Sequence, residues 1–381
     1  MLCGFVCVAP TVWAGESVLY SITDQSIIYP ATNRLVRVSI PEYRTDIFAI
    51  DPETGKKRLV FSDANAEFML LPGGTTLQRG GIAAARARIF ALAADRQAKA
   101  NGRYEPDAVY ELSTDGSSKA RKMFAIEDEA QSPNFGNLFV NPSGSRIAHT
   151  HYIGGKTYLF INDTMTGKLL RKIALRYSSE ERTGWRFGSA WGFGWMPDDK
   201  RIFFAISLSG DSDEAFWTAP NSPVGTYVMN EDGDRAERLA PEAALHPKID
   251  GLEPSDSMAA VLIGILPDGR YLLADQEHGP EHPGVYLYTL DLAKRTQKTF
   301  SLRVDFDPSF VHLSLSGNRL TLAANPKIVG GQARFKAAPP VDVWALDLES
   351  EKQLKLFSFA GTDVTGTQGP WMNLIGWLEE H

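Results

Sequence analysis

Cysteine is nearly missing from this chain. There are two, Cys3 and Cys7, both close to the start. If that segment is removed on export, the remainder holds none, which excludes a disulfide framework and a catalytic thiol and frees the fold from any redox requirement. Long apolar runs are missing too. Beyond the N-terminal stretch the longest, about Met258 to Leu266, is strand-sized and far short of the ~20 residues of a bilayer-crossing helix, so no transmembrane segment is expected. Blocks of positive charge are absent: the net charge is -7 and Lys and Arg are scattered along the chain. That excludes a nucleic-acid partner, which needs a basic stripe to neutralise phosphates. Several catalytic signatures are missing. Gly188-Ser-Ala-Trp-Gly192 carries its Ser one place early for a nucleophile elbow. There is no P-loop, Gly-x-Gly-x-x-Gly, Cys-x-x-Cys or His-Glu-x-x-His.

What is present begins with an apolar stretch from Met1 to Pro10, followed by Val12-Trp13-Ala14 ahead of Gly15. Small residues there suit signal-peptidase cleavage. No Lys or Arg precedes Arg34, so residues 1–14 read as a truncated signal peptide, the start lying inside a longer one. The other reading is an ordinary first strand. Residues 15–381 are expected to form one domain in the periplasm or outside the cell.

The rest of the chain repeats itself. One unit is a hairpin: an aromatic or β-branched strand, an acidic turn, and a basic or polar strand. It occurs at Asp46–Phe61, at Ala108-Val-Tyr-Glu-Leu-Ser-Thr-Asp-Gly and at Tyr158-Leu-Phe-Ile-Asn-Asp-Thr-Met-Thr-Gly. It returns at Thr226-Tyr-Val-Met-Asn-Glu-Asp-Gly, Val285-Tyr-Leu-Tyr-Thr-Leu-Asp and Val341-Asp-Val-Trp-Ala-Leu-Asp. Alternating apolar residues around a turn of Gly, Asp and Asn specify such hairpins. A second unit precedes most of them: two apolar strands about a turn such as Asn-Pro-Ser-Gly144, Pro197-Asp-Asp199, Pro267-Asp-Gly269 or Ser314-Leu-Ser-Gly317. Together they make a four-stranded antiparallel blade, and blades that cannot bury both faces alone must stack in a ring.

The first copy, from about Ser26 to Phe61, lacks an innermost strand, and Met372-Asn-Leu-Ile-Gly-Trp377 is an orphan one. Pairing the two closes the ring and hides its sheet edges. In the second blade either Glu67 to Leu71 or Gly81 to Ala85 serves as inner strand, and a seventh small blade stays open. The Pro-Asp-Gly turns and aromatic-x-Asp hairpins resemble the TolB-like, PD40-type (WD40-like) propeller repeats, from about Ser26 to Trp377. The resemblance implies an all-β, six-bladed β-propeller.

Turns inside the units are tight and share one face. Connections between units share the other, and several are long, such as Arg176 to Ser189, Leu208 to Gly225 and Gln276 to Gly284. Long loops on a rigid scaffold are where binding residues gather. Trp185, Arg186, Phe187, Trp191, Phe216 and Trp217 could stack on a sugar or peptide. Glu277, His278, Glu281 and His282 could supply N and O ligands to a divalent metal; no other cofactor is expected. Asp211, Asp213 and Glu214 read as a solvated acidic loop. His149 and His151 share a strand face and read as core histidines packed between blades. The expected function is a non-catalytic binding or scaffold module for a protein, peptide or glycan. The alternatives are a metal-assisted hydrolase or lyase at the channel mouth, and a scaffold subunit of a periplasmic redox complex.

Overall fold

The computed structural model describes residues 15–26, 42–63, 68–70, 81–95, 108–126, 135–153, 156–175, 190–206, 225–233, 236–240, 242–245, 260–276, 285–300, 302, 311–324, 341–359 and 371–380. Its strands fall into six antiparallel sheets. The first blade contains β1 (Glu16–Ser26), β2 (Glu42–Ile50) and β3 (Lys57–Ser62). The second contains β4 (Phe68–Leu70), β5 (Ile82–Ala85), β6 (Arg88–Asp95), β7 (Ala108–Leu112) and β8 (Ala120–Ala125). The third runs β9 (Phe135–Val140), β10 (Arg146–Ile153), β11 (Lys156–Asp163) and β12 (Leu169–Ala174). The fourth runs β13 (Ala190–Trp195), β14 (Arg201–Ile206), β15 (Gly225–Asn230) and β16 (Glu237–Arg238), with a short helix α1 (Glu242–Leu245) after it. The fifth runs β17 (Val261–Ile265), β18 (Tyr271–Gln276), β19 (Val285–Asp291) and β20 (Thr296–Phe300). The sixth runs β21 (Val311–Leu313), β22 (Arg319–Ala324), β23 (Val341–Asp347) and β24 (Gln353–Phe359).

The last strand, β25 (Trp371–Glu379), returns to the first blade and pairs antiparallel with β1, from Glu16↔Glu379 to Thr23↔Trp371. The orphan C-terminal strand therefore closes the ring as the repeats require. The blade begins upstream of the Ser26 boundary read from the repeats, because β1 itself is its second strand. Both rival segments of the second blade are used. β5 pairs with β6 over Arg88 to Ala91, and β4 pairs with the same strand over Ala93 to Asp95. β5 is the innermost piece, since it lies against β25 on one side and β9 on the other.

The strand sequences explain why blades stack. In β14, Ile202, Phe204 and Ile206 pack toward the third blade, while Phe203 between them packs toward the fifth. In β18, Leu272 and Ala274 face the sixth blade and Leu273 the fourth. Successive side chains leave a strand on opposite faces, so near-continuous apolar runs are what a sheet buried on both faces demands. The buried residues form six clusters, one at each seam. The seam between the sixth blade and the first holds Val18, Tyr20, Ala323, Val343, Leu374 and Trp377. With six seams filled and the ring closed on itself, a seventh blade has no place.

Candidate functional site

The innermost strands β25, β5, β9, β13, β17 and β21 contact one another in that order and return to β25, enclosing a central channel. A cavity of about 1040 Å³ opens from it at the end where innermost strands turn into the second strands of their blades. Its walls are apolar, with Leu138, Ile263 and Leu374 among them, and its mouth is polar.

That mouth is a rim of stitched turns. Glu16 Oε1 accepts from the Ser316 amide at 2.8 Å and Oε2 from the Ser316 hydroxyl at 3.1 Å. Asp199 Oδ1 accepts from the Ser143 amide at 2.9 Å. The Glu379 amide donates to the Arg86 carbonyl at 2.9 Å, and Arg88 Nη1 donates to the Gly144 carbonyl at 3.2 Å. Inside, His312 Nε2 donates to the Leu374 carbonyl at 3.0 Å, and Trp377 Nε1 donates to the His312 carbonyl at 3.2 Å. Burial holds the Arg319 guanidinium below its ordinary pKa, against Glu16 and Asp347, which favour its charge. The rim carboxylates Glu16 and Asp199 thus fasten neighbouring turns together. Four innermost strands are also bulged, at β9, β13, β17 and β25, which bends a strand and re-aims its side chains.

The opposite end is where the long connections leave. Ala190 pairs with Ile206, and Ile206 pairs on its other side with Gly225. Segments 176–189 and 207–224 are therefore anchored side by side at one corner of the fourth blade. Gln276 pairs with Val285, which fixes both ends of segment 277–284 at the same end of the next blade. Trp185, Arg186, Phe187, Phe216, Trp217, Glu277, His278, Glu281 and His282 lie in these segments, outside the described residues, as do Asp211, Asp213 and Glu214. Trp191 was expected in a loop; its backbone instead belongs to β13, opposite Ala205, next to the Ala190–Ile206 pair from which the two long segments leave.

The paired histidines are buried as the strand pattern implied. His149 and His151 on β10 are 3% and 2% exposed. His149 Nδ1 and His151 Nε2 lie 2.6 Å apart, so one donates to the other. Phe160 of the same blade and Phe124 of the second blade stack on the His149 ring, which places the pair in the seam. Burial, and then the neighbouring His151, push His149 down to about 3; burial, and then Lys172, push His151 down to about 4. Both rings are neutral around pH 7. Among the described residues no three His, Cys, Asp or Glu converge as metal ligands, and no helix is long and apolar enough to cross a membrane.

No protein-family model matches the sequence, and no curated protein matches it. Solved structures do match. A TolB candidate from Agrobacterium tumefaciens has a TM-score of 0.47 and 14% identity over 94% of this chain and 99% of that one. TolB from Acinetobacter baumannii has 0.47 and 13%, over 97% and 67%. An oligogalacturonate lyase from Vibrio parahaemolyticus has 0.42 and 10%, over 89% and 79%. At such identities these are likenesses of fold only. The strand pairing and the six filled seams carry the assignment on their own: the chain is a six-bladed β-propeller closed by its last strand.

Proposed function

We propose that this protein is a non-catalytic binding or scaffold propeller, exported to the periplasm or secreted, that holds a protein, peptide or glycan on the face carrying its long connections. The observation that supports it most is the register of the fourth blade. Because Ala190, Ile206 and Gly225 pair in one row, two aromatic-rich segments distant in sequence start from a single rigid corner. Aromatic residues and an Arg in segments tethered to one rigid base suit stacking on a sugar ring or a peptide. A rigid ring also lowers the ordering cost of binding.

Peptide and glycan arrays test the reading. The full chain is expected to retain a discrete set of ligands, and Trp185→Ala/Trp217→Ala to bind them at least tenfold more weakly. Metal analysis of the same preparations bears on the choice between binder and enzyme. Stoichiometric divalent metal that disappears in His278→Ala/His282→Ala, accompanied by turnover of an array ligand, would replace the binding reading with a metal-assisted hydrolase or lyase.

A further inference from the structure

The outermost strands of the six blades, β3, β8, β12, β16, β20 and β24, carry nine Lys and Arg and one acid, Glu237, in a chain whose net charge is -7. Scattered in sequence, these cations are gathered by the fold. Blades one to three each carry an adjacent exposed pair on the outer strand: Lys57 and Arg58, Arg121 and Lys122, Arg171 and Lys172. Lys56, Lys119 and Lys168 precede them in the turns and are exposed as well.

These blades form one continuous arc at the tight-turn end. The Gly116 amide of the second blade donates to the Val60 carbonyl on β3 at 2.7 Å. Arg58 Nη1 donates to the Thr114 carbonyl at 3.2 Å. Gly167 of the third blade packs on the Met123 carbonyl of β8. The acids of the arc are largely engaged. Glu111 binds Arg88 and Arg121, Glu380 binds Arg58, Asp51 and Asp163 accept from their own turns, and Asp115 accepts from Ser113 and Ser117. The same arc holds three of the four large apolar side chains that stand exposed among the described residues, Leu59, Met165 at 74% and Leu170; the fourth is Leu315.

Cations alone would suit any polyanion. Cations interleaved with protruding Leu and Met suit a surface that is negatively charged and has an apolar interior within reach. We infer that the outer rim of blades one to three docks on an anionic lipid membrane, leaving the long-connection face directed away from it. The inference stands apart from the identity of the ligand on that face.

Sedimentation of the full chain with vesicles tests it. Vesicles of phosphatidylcholine containing phosphatidylglycerol are expected to capture the protein, and vesicles of phosphatidylcholine alone are not. Capture should fall as salt is raised from about 0.1 to about 0.5 M, since the Debye length shortens from about 10 Å to a few Å. Lys56→Glu/Lys122→Glu/Arg171→Glu should lower partitioning at least tenfold. Met165→Ser/Leu170→Ser should lower it severalfold at either salt concentration. Lys200→Glu/Lys294→Glu/Lys352→Glu, with the same charge change on the other three blades, should lower it less than threefold. All these positions are exposed, Leu170 least among the apolar ones at 38%, so thermal melts should match the wild type. Equal capture by neutral vesicles, no capture, or equal loss in both charge variants would overturn the inference. Binding to soluble heparin without binding to vesicles would overturn it in favour of an anionic polysaccharide.

Discussion

Two hairpin turns show how a single residue locks one blade to the next. In Asp51–Lys56 and Asp163–Lys168 the Asp carboxylate accepts amides two and three residues on, from Glu53 and Thr54 and from Met165 and Thr166. Those bonds hold both carboxyls below the usual range, against the burial that raises Asp51. Gly55 at φ 68° and Gly167 at φ 71° then adopt the left-handed conformation. The turns match, but their surroundings do not. A Cβ on Gly55 would meet nothing within 4 Å, whereas one on Gly167 would lie 2.3 Å from the Met123 carbonyl oxygen of the adjacent blade. Gly55→Ala should therefore cost only left-handed strain, about 1–2 kcal/mol. Gly167→Ala should cost at least about 1 kcal/mol more, because one blade must retreat from its neighbour. Urea unfolding of both variants measures the difference, and equal losses would contradict the close approach at this seam.

At the scale of elements, the seam between blades two and three contains the buried histidine pair of β10, covered by Phe124 on β8 and by Phe160 on β11, with Lys172 on β12 5.4 Å from the Phe160 ring centroid. The folded pair titrates near 3 and 4, whereas an unfolded histidine titrates near 6.5. The unfolded chain thus binds protons first, so stability is complete above about pH 6.5 and declines as pH falls toward 4. Urea melts at pH 5 and pH 7.5 should show the wild type weaker at the lower pH, and His149→Phe/His151→Phe should narrow that gap by at least half. An unchanged gap would place the acid sensitivity elsewhere. The pair was legible in sequence because alternation on one strand puts both rings on one face. Blade two was harder: Ile82–Ala85 is mostly alanine and Phe68–Leu70 is only 3 residues long, too little pattern to choose between two segments that both pair with β6.

For the whole molecule, closure is the governing fact. Each seam has its own apolar cluster, and β25 supplies the strand the first blade lacks. Two-period alternation and repeated turn residues made this architecture readable from the amino acids. The cation arc was not readable, because Lys57, Lys122 and Arg171 come to lie on the outer strands of consecutive blades only after the blades stack. The long connections carry no period that fixes a conformation, so sequence identified which residues to suspect there, and the strand register added only where those segments are anchored. The central claim is that binding belongs to the long-connection face. Hydrogen exchange of the full chain with and without an array-identified ligand tests it most directly. Protection should appear in segments 176–189, 207–224 and 277–284. Protection confined to the tight turns 141–145, 196–200 and 266–270 would contradict it and move the binding site to the other end of the channel.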